Sequence, residues 1–286
     1  MSIEIPVAHV EMYRGNVIML AQQKGSRLMR TCRNDGAIVG RTCYFDRIGA
    51  VDAQEITTRH ADTPLTSTPH SRRRADMRDF DYADLVDRID RIRTIYQPDN
   101  YYAQAGAWAI GRKMDDQIIS AASGSVYEGQ SGGTTTALPS AQKIAHGSAG
   151  MTVAKILSAK EILDASDVDP DLPRYFVLDA EGVTDLLNTT EIKSSDYNTV
   201  KALAQGQINT FCGFEFIRSQ RITGSGDTTK YGLAYTAQAL GFGMGSELMV
   251  DIGPRRDKRN ATQIYVSASF AVTRIEDEQL VEVAYQ

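Results

Sequence analysis

Residues 98–124 read PDNYYAQAGAWAIGRKMDDQIISAASG, and this stretch decides the fold. Pro98 biases Gln97 away from helical dihedrals, so the chain before it is extended or turned. Asp99 or Asn100 then offers an oxygen to the first free backbone N–H groups of a helix. Ala103, Ala107, Ile110, Met114, Ile118 and Ala121 recur at intervals of three and four, which lays one apolar stripe along that helix. Gly124 is a natural stop. The other face carries Tyr101, Trp108, Arg112, Asp115 and Asp116, with the two aspartates expected in solvent or paired with Arg112. A long helix with one apolar face and one mixed face lies across a sheet as a backbone for the molecule.

Working backwards from the helix, residues 76–94 are dense in charge, with Leu85, Val86, Ile89 and Ile92 interspersed. Their first half reads as the returning strand of a long hairpin. Residues 57–75 have almost no apolar content, and the Thr63-Pro64 and Thr68-Pro69 steps favour an exposed, extended path. A loop of this length inside a domain is generally functional or disordered. The segment contains Arg72, Arg73 and Arg74, a charge cluster that is either solvated or an anchor for carboxylates of another chain. Residues 38–56 carry short apolar and aromatic pieces broken by Gly40 and Gly49, which suggests strands. Residues 7–30 show the spacing of an amphipathic helix weakened at Gly15. That segment packs either on its own subunit or on a neighbour.

Working forwards, 124–147 reads as a Gly- and Thr-rich connector, 150–165 as a helix, and 175–178 as a short buried strand followed by Asp179 and a second helix. A further helix is expected at 196–205, a strand at 211–217 and a turn at 224–229. A Gly-broken extended segment at 231–243 comes next. Strands at 246–256 and 262–272 flank a charged tip with Arg255, Arg256, Asp257, Lys258 and Arg259, and a last strand covers 280–285. This mixture argues an α+β fold and not a regular βαβ repeat.

The 286 residues suffice for about two domains, and 42% hydrophobic with 23% charged residues is ordinary for a globular chain. A net charge of -5 argues against tight nucleic-acid binding by the molecule as a whole. No apolar run is long enough to span a bilayer, and the first residues lack the basic start and apolar block of a secretion signal. Cys32, Cys43 and Cys212 are scattered and fit free thiols better than a disulfide framework. Gly129-Gln-Ser131-Gly-Gly133 matches the nucleophile-elbow pattern, but Thr134–Thr136 and then a proline follow where a helix should begin, and His146 is the only later histidine. Ser140 and Lys143 match S-x-x-K without its partner motifs. The glycines at 224, 226, 241, 243 and 245 do not form a phosphate loop. Histidines 9, 60, 70 and 146 are too dispersed for a metal site. The residues therefore assign no catalytic group, cofactor or metal; a serine hydrolase through Ser131 is the rival enzymatic reading.

The stretches YRGNVIMLAQQKGSRL (13–28), YFDRIGAVDAQEITTRHADTPLTSTPHSRRR (44–74), DYADLVDRIDRIR (81–93), YYAQAGAWAIGRKMDDQII (101–119) and SSDYNTVKALAQGQINTFCGFEFIRS (194–219), with the closing strands, resemble in order the major capsid proteins of tailed bacteriophages. The resemblance is to a branch of short capsid sequences without a fused scaffold. It implies the Hong Kong 97 fold. Residues 1–40 would be the N-arm and 41–78 the extended loop (E-loop). Residues 79–123 with 246–272 would form the peripheral domain, 124–147 a connector, and 148–245 with 273–286 the axial domain. It further implies a virion location after assembly in the host cytoplasm, and self-assembly as hexamers and pentamers into an icosahedral shell around double-stranded DNA. The implied partners are a separate scaffolding protein, a portal protein and, in some heads, a decoration protein. An encapsulin-like compartment shell shares the same physics. Within this frame Arg72–Arg74 and the Arg255–Arg259 tip become candidate contacts between subunits.

Overall fold

A computed structural model describes residues 22–59, 62–63, 65–87, 98–188, 210–222 and 229–286. In chain order it contains β1 (Arg33–Ala37), β2 (Thr42–Ile48), β3 (His70–Asp76), β4 (Arg78–Val86), α1 (Pro98–Ser123), β5 (Val126–Glu128), β6 (Thr134–Thr136) and β7 (Lys143–Ile144). Then come α2 (Val153–Ala165), β8 (Arg174–Leu178), α3 (Ala180–Asn188), β9 (Thr210–Phe211), β10 (Phe214–Arg218), β11 (Lys230–Thr236), β12 (Leu240–Arg255), β13 (Ala261–Arg274) and β14 (Leu280–Tyr285).

The long helix α1 forms where its spacing places it. Its 26 residues make a rod of about 39 Å. Ile110, Met114, Ile118 and Ala122 are buried along one line. The stripe thus closes on Ala122, not Ala121: successive four-residue steps each gain about 40° around the axis, so the buried line winds slowly round the helix. Gly106 is a close-approach point: a Cβ there would come within 2.5 Å of the Tyr82 ring. At the other end the fully buried Arg274 donates from Nη1 to the carbonyls of Ala122 (2.8 Å) and Gly124 (2.7 Å). A cation thus satisfies carbonyls that a helix C-terminus leaves open, and it sits where the helix dipole favours it.

Two compact units divide the chain, and the division falls within β4, α1, β12 and β13. The larger comprises 26–78, 113–246 and 269–286. It holds a six-stranded sheet in the order β7-β14-β11-β8-β10-β9. β8 and β10 run parallel, while β11 runs antiparallel to both β8 and β14. Ile156, Ala159 and Leu163 of α2 and Leu186 of α3 join Phe176, Phe214, Ala234, Val281 and Val283 in one core. Asp179 caps α3 by accepting from Gly182 N at 2.7 Å. β14 is buried at every position although its sequence alternates, because β7 and β11 flank it and its two faces are both covered.

The same unit carries a second sheet, β2-β3-β5-β6. β2 and β3 pair antiparallel from Thr42↔Asp76 to Ile48↔His70. The returning strand of the hairpin therefore begins at His70, earlier than the 76–94 expectation. β4 leaves for a different sheet and borders β13. The backbone bond from Met77 N to Arg41 O (2.9 Å) closes the hairpin base and marks where the chain departs. The stretch 124–147 is also more ordered than a connector. Gly129 (φ +99°) and Gly132 (φ +65°) supply the left-handed turn between β5 and β6, and β5 pairs with β3 at Arg73↔Glu128.

The smaller unit comprises 1–25, 79–112 and 247–268. Within it the outer parts of β12 and β13 run side by side with β4 beyond β13. Arg112 donates to Gln22 Oε1 (3.0 Å) and the Gln23 carbonyl (3.2 Å), and Lys24 lies over the Trp108 ring. The amphipathic helix read over 7–30 does not extend through 22–30, where Met29–Thr31 form only a 3-10 turn; residues 7–21 lie outside the described residues. The helix expected at 196–205 and residues 224–228 of the expected turn lie outside them too.

Candidate functional site

The apparent nucleophile elbow is a hairpin turn. Ser131 stands between β5 and β6, so a strand follows it where an elbow needs a helix. Its carbonyl accepts from Tyr44 Oη (3.5 Å) and Arg74 Nη1 (3.4 Å). A Cβ on Gly132 would lie 2.7 Å from Arg74 Cδ, so the glycine lets the arginine lie flat across the turn. Lys143 faces Glu282 at 3.5 Å and not Ser140. Among the described residues no cluster of three metal-ligating side chains occurs. The thiol of Cys32 is pushed up to about 12 by burial, and burial also raises those of Cys43 and Cys212; none is a ready thiolate.

Asp115 and Asp116 correct the sequence reading. Asp115 is fully buried and accepts from Ser26 Oγ (2.6 Å) and from the backbone N–H groups of Arg27 and Leu28 (both 3.1 Å). Asp116 pairs with Arg221, bonding Nη2 at 2.5 Å. Neither pairs with Arg112. A carboxylate on the helix thus gathers the strand-free chain at 26–28.

The three arginines of β3 divide by strand alternation. Arg73 turns inwards and is 2% exposed. It pairs with Asp277 at 2.7 Å and with Glu128 at 3.5 Å. Glu128 also binds Arg47 at 2.6 Å, and Asp277 also takes Arg274 Nε at 2.5 Å. Three guanidinium groups and two carboxylates thus form one chain of ion pairs joining β2, β3, β5 and the end of β13. As a contact with another subunit Arg73 is therefore corrected: its charge is spent inside its own fold. Arg72 and Arg74 turn the other way. Arg72 pairs with Asp46 (2.9 Å) and lies over the Tyr44 ring; Arg74 pairs with Asp76 (3.0 Å) and lies over Tyr127. Tyr44, Arg74 and Tyr127 stand opposite one another on three adjacent strands, and both tyrosines are exposed. Aromatic rings and arginine on a rigid face are the composition of interface anchors.

The tip between β12 and β13 is exposed from Arg255 to Arg259. Asp257 accepts from Arg255 at 2.9 and 3.0 Å, and the Arg255 guanidinium holds its carboxyl below the usual range. Arg259 (φ 53°) and Asn260 (φ 57°) turn the chain back, leaving Arg256, Lys258 and Arg259 in solvent. Arg47, Glu128, Arg274 and Asp277 were not singled out by sequence reasoning. They are isolated charges in four separate segments, and only strand register brings them together. Leu248, Met249, Val250 and Ile252 on β12 escaped it as well: the strand was legible, but its exposure was not.

What these groups can do is hold surfaces together, and the sequence matches the family described as "Phage capsid protein" over residues 5–286. The chain belongs to the phage capsid protein family. Its fold, of the Hong Kong 97 type, matches solved phage capsid structures. The capsid of cyanophage P-SCSP1u is 15% identical, with a TM-score of 0.75, covering 98% of this chain and 94% of that one. The capsid of Ralstonia phage GP4 is 11% identical with a TM-score of 0.75 over 100% and 97%. A Mycobacterium phage Che8 chain is 15% identical with a TM-score of 0.70 over 96% and 97%. No curated protein matches the sequence closely enough to count as a relative. This capsid protein is a major subunit of a phage head, and it associates with copies of itself.

Proposed function

We propose that the capsid protein tiles as hexamers and pentamers into a closed icosahedral shell around double-stranded DNA, acting through its surfaces and not through catalysis. Residues 41–78 serve as the E-loop and lie over the adjacent subunit, and residues 1–40 serve as an N-arm. The observation that carries this reading is the β2–β3 hairpin. Its base is fixed by ion pairs around the buried Arg73, while Val51, Ile56 and Leu65 beyond it stand exposed. A chain that spends a buried arginine to aim an unpacked loop has a use for that loop outside its own core. Arg72, Arg74, Arg255, Arg256, Lys258 and Arg259, with Asp257, are the charged contacts between subunits under this reading. A separate scaffolding protein, a portal and, where present, a decoration protein complete the head.

Electron microscopy of the expressed protein, with and without a co-expressed scaffold, tests the proposal. Closed shells of uniform size are expected with the scaffold. Soluble monomers under both conditions, from a folded chain, would refute it.

A further inference from the structure

β12 has a stretch of bare edge. β1 pairs with it only at Gly241, Phe242 and Met244, and β13 lies along its other side. Among the described residues no strand borders Leu248–Gly253 on the β1 side. Apart from Asp251, the side chains there are apolar and open: Leu248 is 43% exposed, Met249 61%, Val250 46% and Ile252 43%. The opposite edge strand, β4, is dressed differently. Its sequence RDFDYADLV sets Asp79, Asp81 and Asp84 along it. Native edges are normally protected by charge, bulges or cover, because unpaired N–H and C=O groups recruit other strands. One edge of this sheet is protected and the other is not, which marks the bare one as a surface that becomes covered.

We infer that this edge pairs antiparallel with the same edge of a second copy, about a two-fold axis that passes between the two Val250 residues. The inference rests on the shell-forming reading, which supplies the second copy. A two-fold contact must be self-complementary. An axis perpendicular to the sheet keeps each row of side chains on its own face, so it passes midway between a residue and that residue's own counterpart. With Val250 opposite its own counterpart, Leu248 lies opposite Ile252 of the second copy, and Ile252 opposite Leu248. One face then carries a single apolar row, three residues from each copy. Asp251 falls opposite Met249. The neighbouring registers are worse: an axis at Asp251 sets that carboxylate against itself, and an axis at Met249 sets Glu247 against Asp251. Like charges directly opposite destabilise a strand pair. The patch is too short to hold a dimer in dilute solution, where specific interfaces bury about 1,200 Å² or more. Within a shell the other contacts hold the two edges near one another, so the pairing forms there.

Cysteine cross-linking in assembled particles reads the register directly. V250C and D251C are made separately, assembled beside wild type, oxidised, and analysed by non-reducing gel and by mass spectrometry of the linked peptides. V250C shells are expected to give a dimer band absent from wild type, with position 250 linked to position 250, while D251C shells give none. A V250C shell without that peptide overturns the inference. So does a V250C peptide linked to Cys43, which would place a neighbour's hairpin on this edge, or cross-linking of D251C in its place. Those outcomes leave the shell-forming reading intact. Wild type that forms no particles under any condition removes that reading and this contact with it.

Discussion

Arg73 on β3 donates from Nη2 to Asp277 at 2.7 Å, a bond between positions 204 residues apart in the chain. It is the central link of the ion-pair chain that fixes the hairpin base. Removing one partner of a buried pair leaves an uncompensated charge, so Arg73→Ala is expected to destabilise the subunit by about 3 kcal/mol. Urea unfolding of the unassembled subunit measures this. A change below about 0.5 kcal/mol would show that the pair is no more than a surface bridge.

Arg72 and Arg74 face outwards with exposed aspartate partners, so each pair contributes at most about 1 kcal/mol to the fold. The double variant R72E/R74E is expected to stay folded and monomeric but to yield no shells. Circular dichroism and negative-stain microscopy together separate the two effects. Normal shells from this variant would remove both residues from the contact list.

The helix offers a packing test. Gly106→Ala would drive a methyl group into the Tyr82 ring, and overpacking of this kind costs about 2 kcal/mol. Thermal melts should show the loss. Tyr82→Ala in the same background is expected to recover part of it, by opening the space the methyl needs.

High pH should unfold the subunit through its buried acids. Burial pushes Cys32 up to about 12 from an ordinary 9.0, and burial also raises Tyr235 well above 10.0. In the unfolded chain both protons leave earlier, so between pH 9 and about 12 the unfolded state binds fewer protons than the folded one. Stability from these groups is complete below pH 9 and falls as pH rises, at up to about 1.4 kcal/mol per pH unit for each group. Denaturant midpoints measured from pH 7 to 11 check the slope. Cys32→Ala should flatten it.

Periodicity made part of this molecule readable. The line Ile110, Met114, Ile118 recurs at helical spacing, and Val281, Val283 and Tyr285 mark a strand, because apolar side chains must share a face to be buried. β3 was harder. His-Ser-Arg-Arg-Arg-Ala-Asp has no apolar alternation, and its inward positions are Arg73 and Ala75. An arginine can face inwards only because Asp277 and Glu128 wait for it, and neither is local. Asp115 misled for the same reason: its partners include the Ser26 hydroxyl and the backbone N–H groups at 27 and 28, far away in sequence, which no local pattern reports. The hairpin tip at 255–259 was visible as a charged turn between two strands, whereas the bare edge beside it depends on which strand lies next to β12.

The placement of β14 bears on how the protein is made. Glu282 and Val283 pair with Lys143 and Ile144, and the strand's other side pairs with β11, so a segment synthesised after both of its neighbours lies inside the sheet. Such distant pairings form slowly. A nascent chain halted before Leu280 would leave Leu233 and Ala234 without their neighbour and would be left sticky, not competent. A fragment ending at Gln279 should therefore sediment with aggregates and fail to co-assemble with full-length subunits. Synthesis of β14 would then act as a checkpoint, admitting to the growing lattice only polypeptides that carry it.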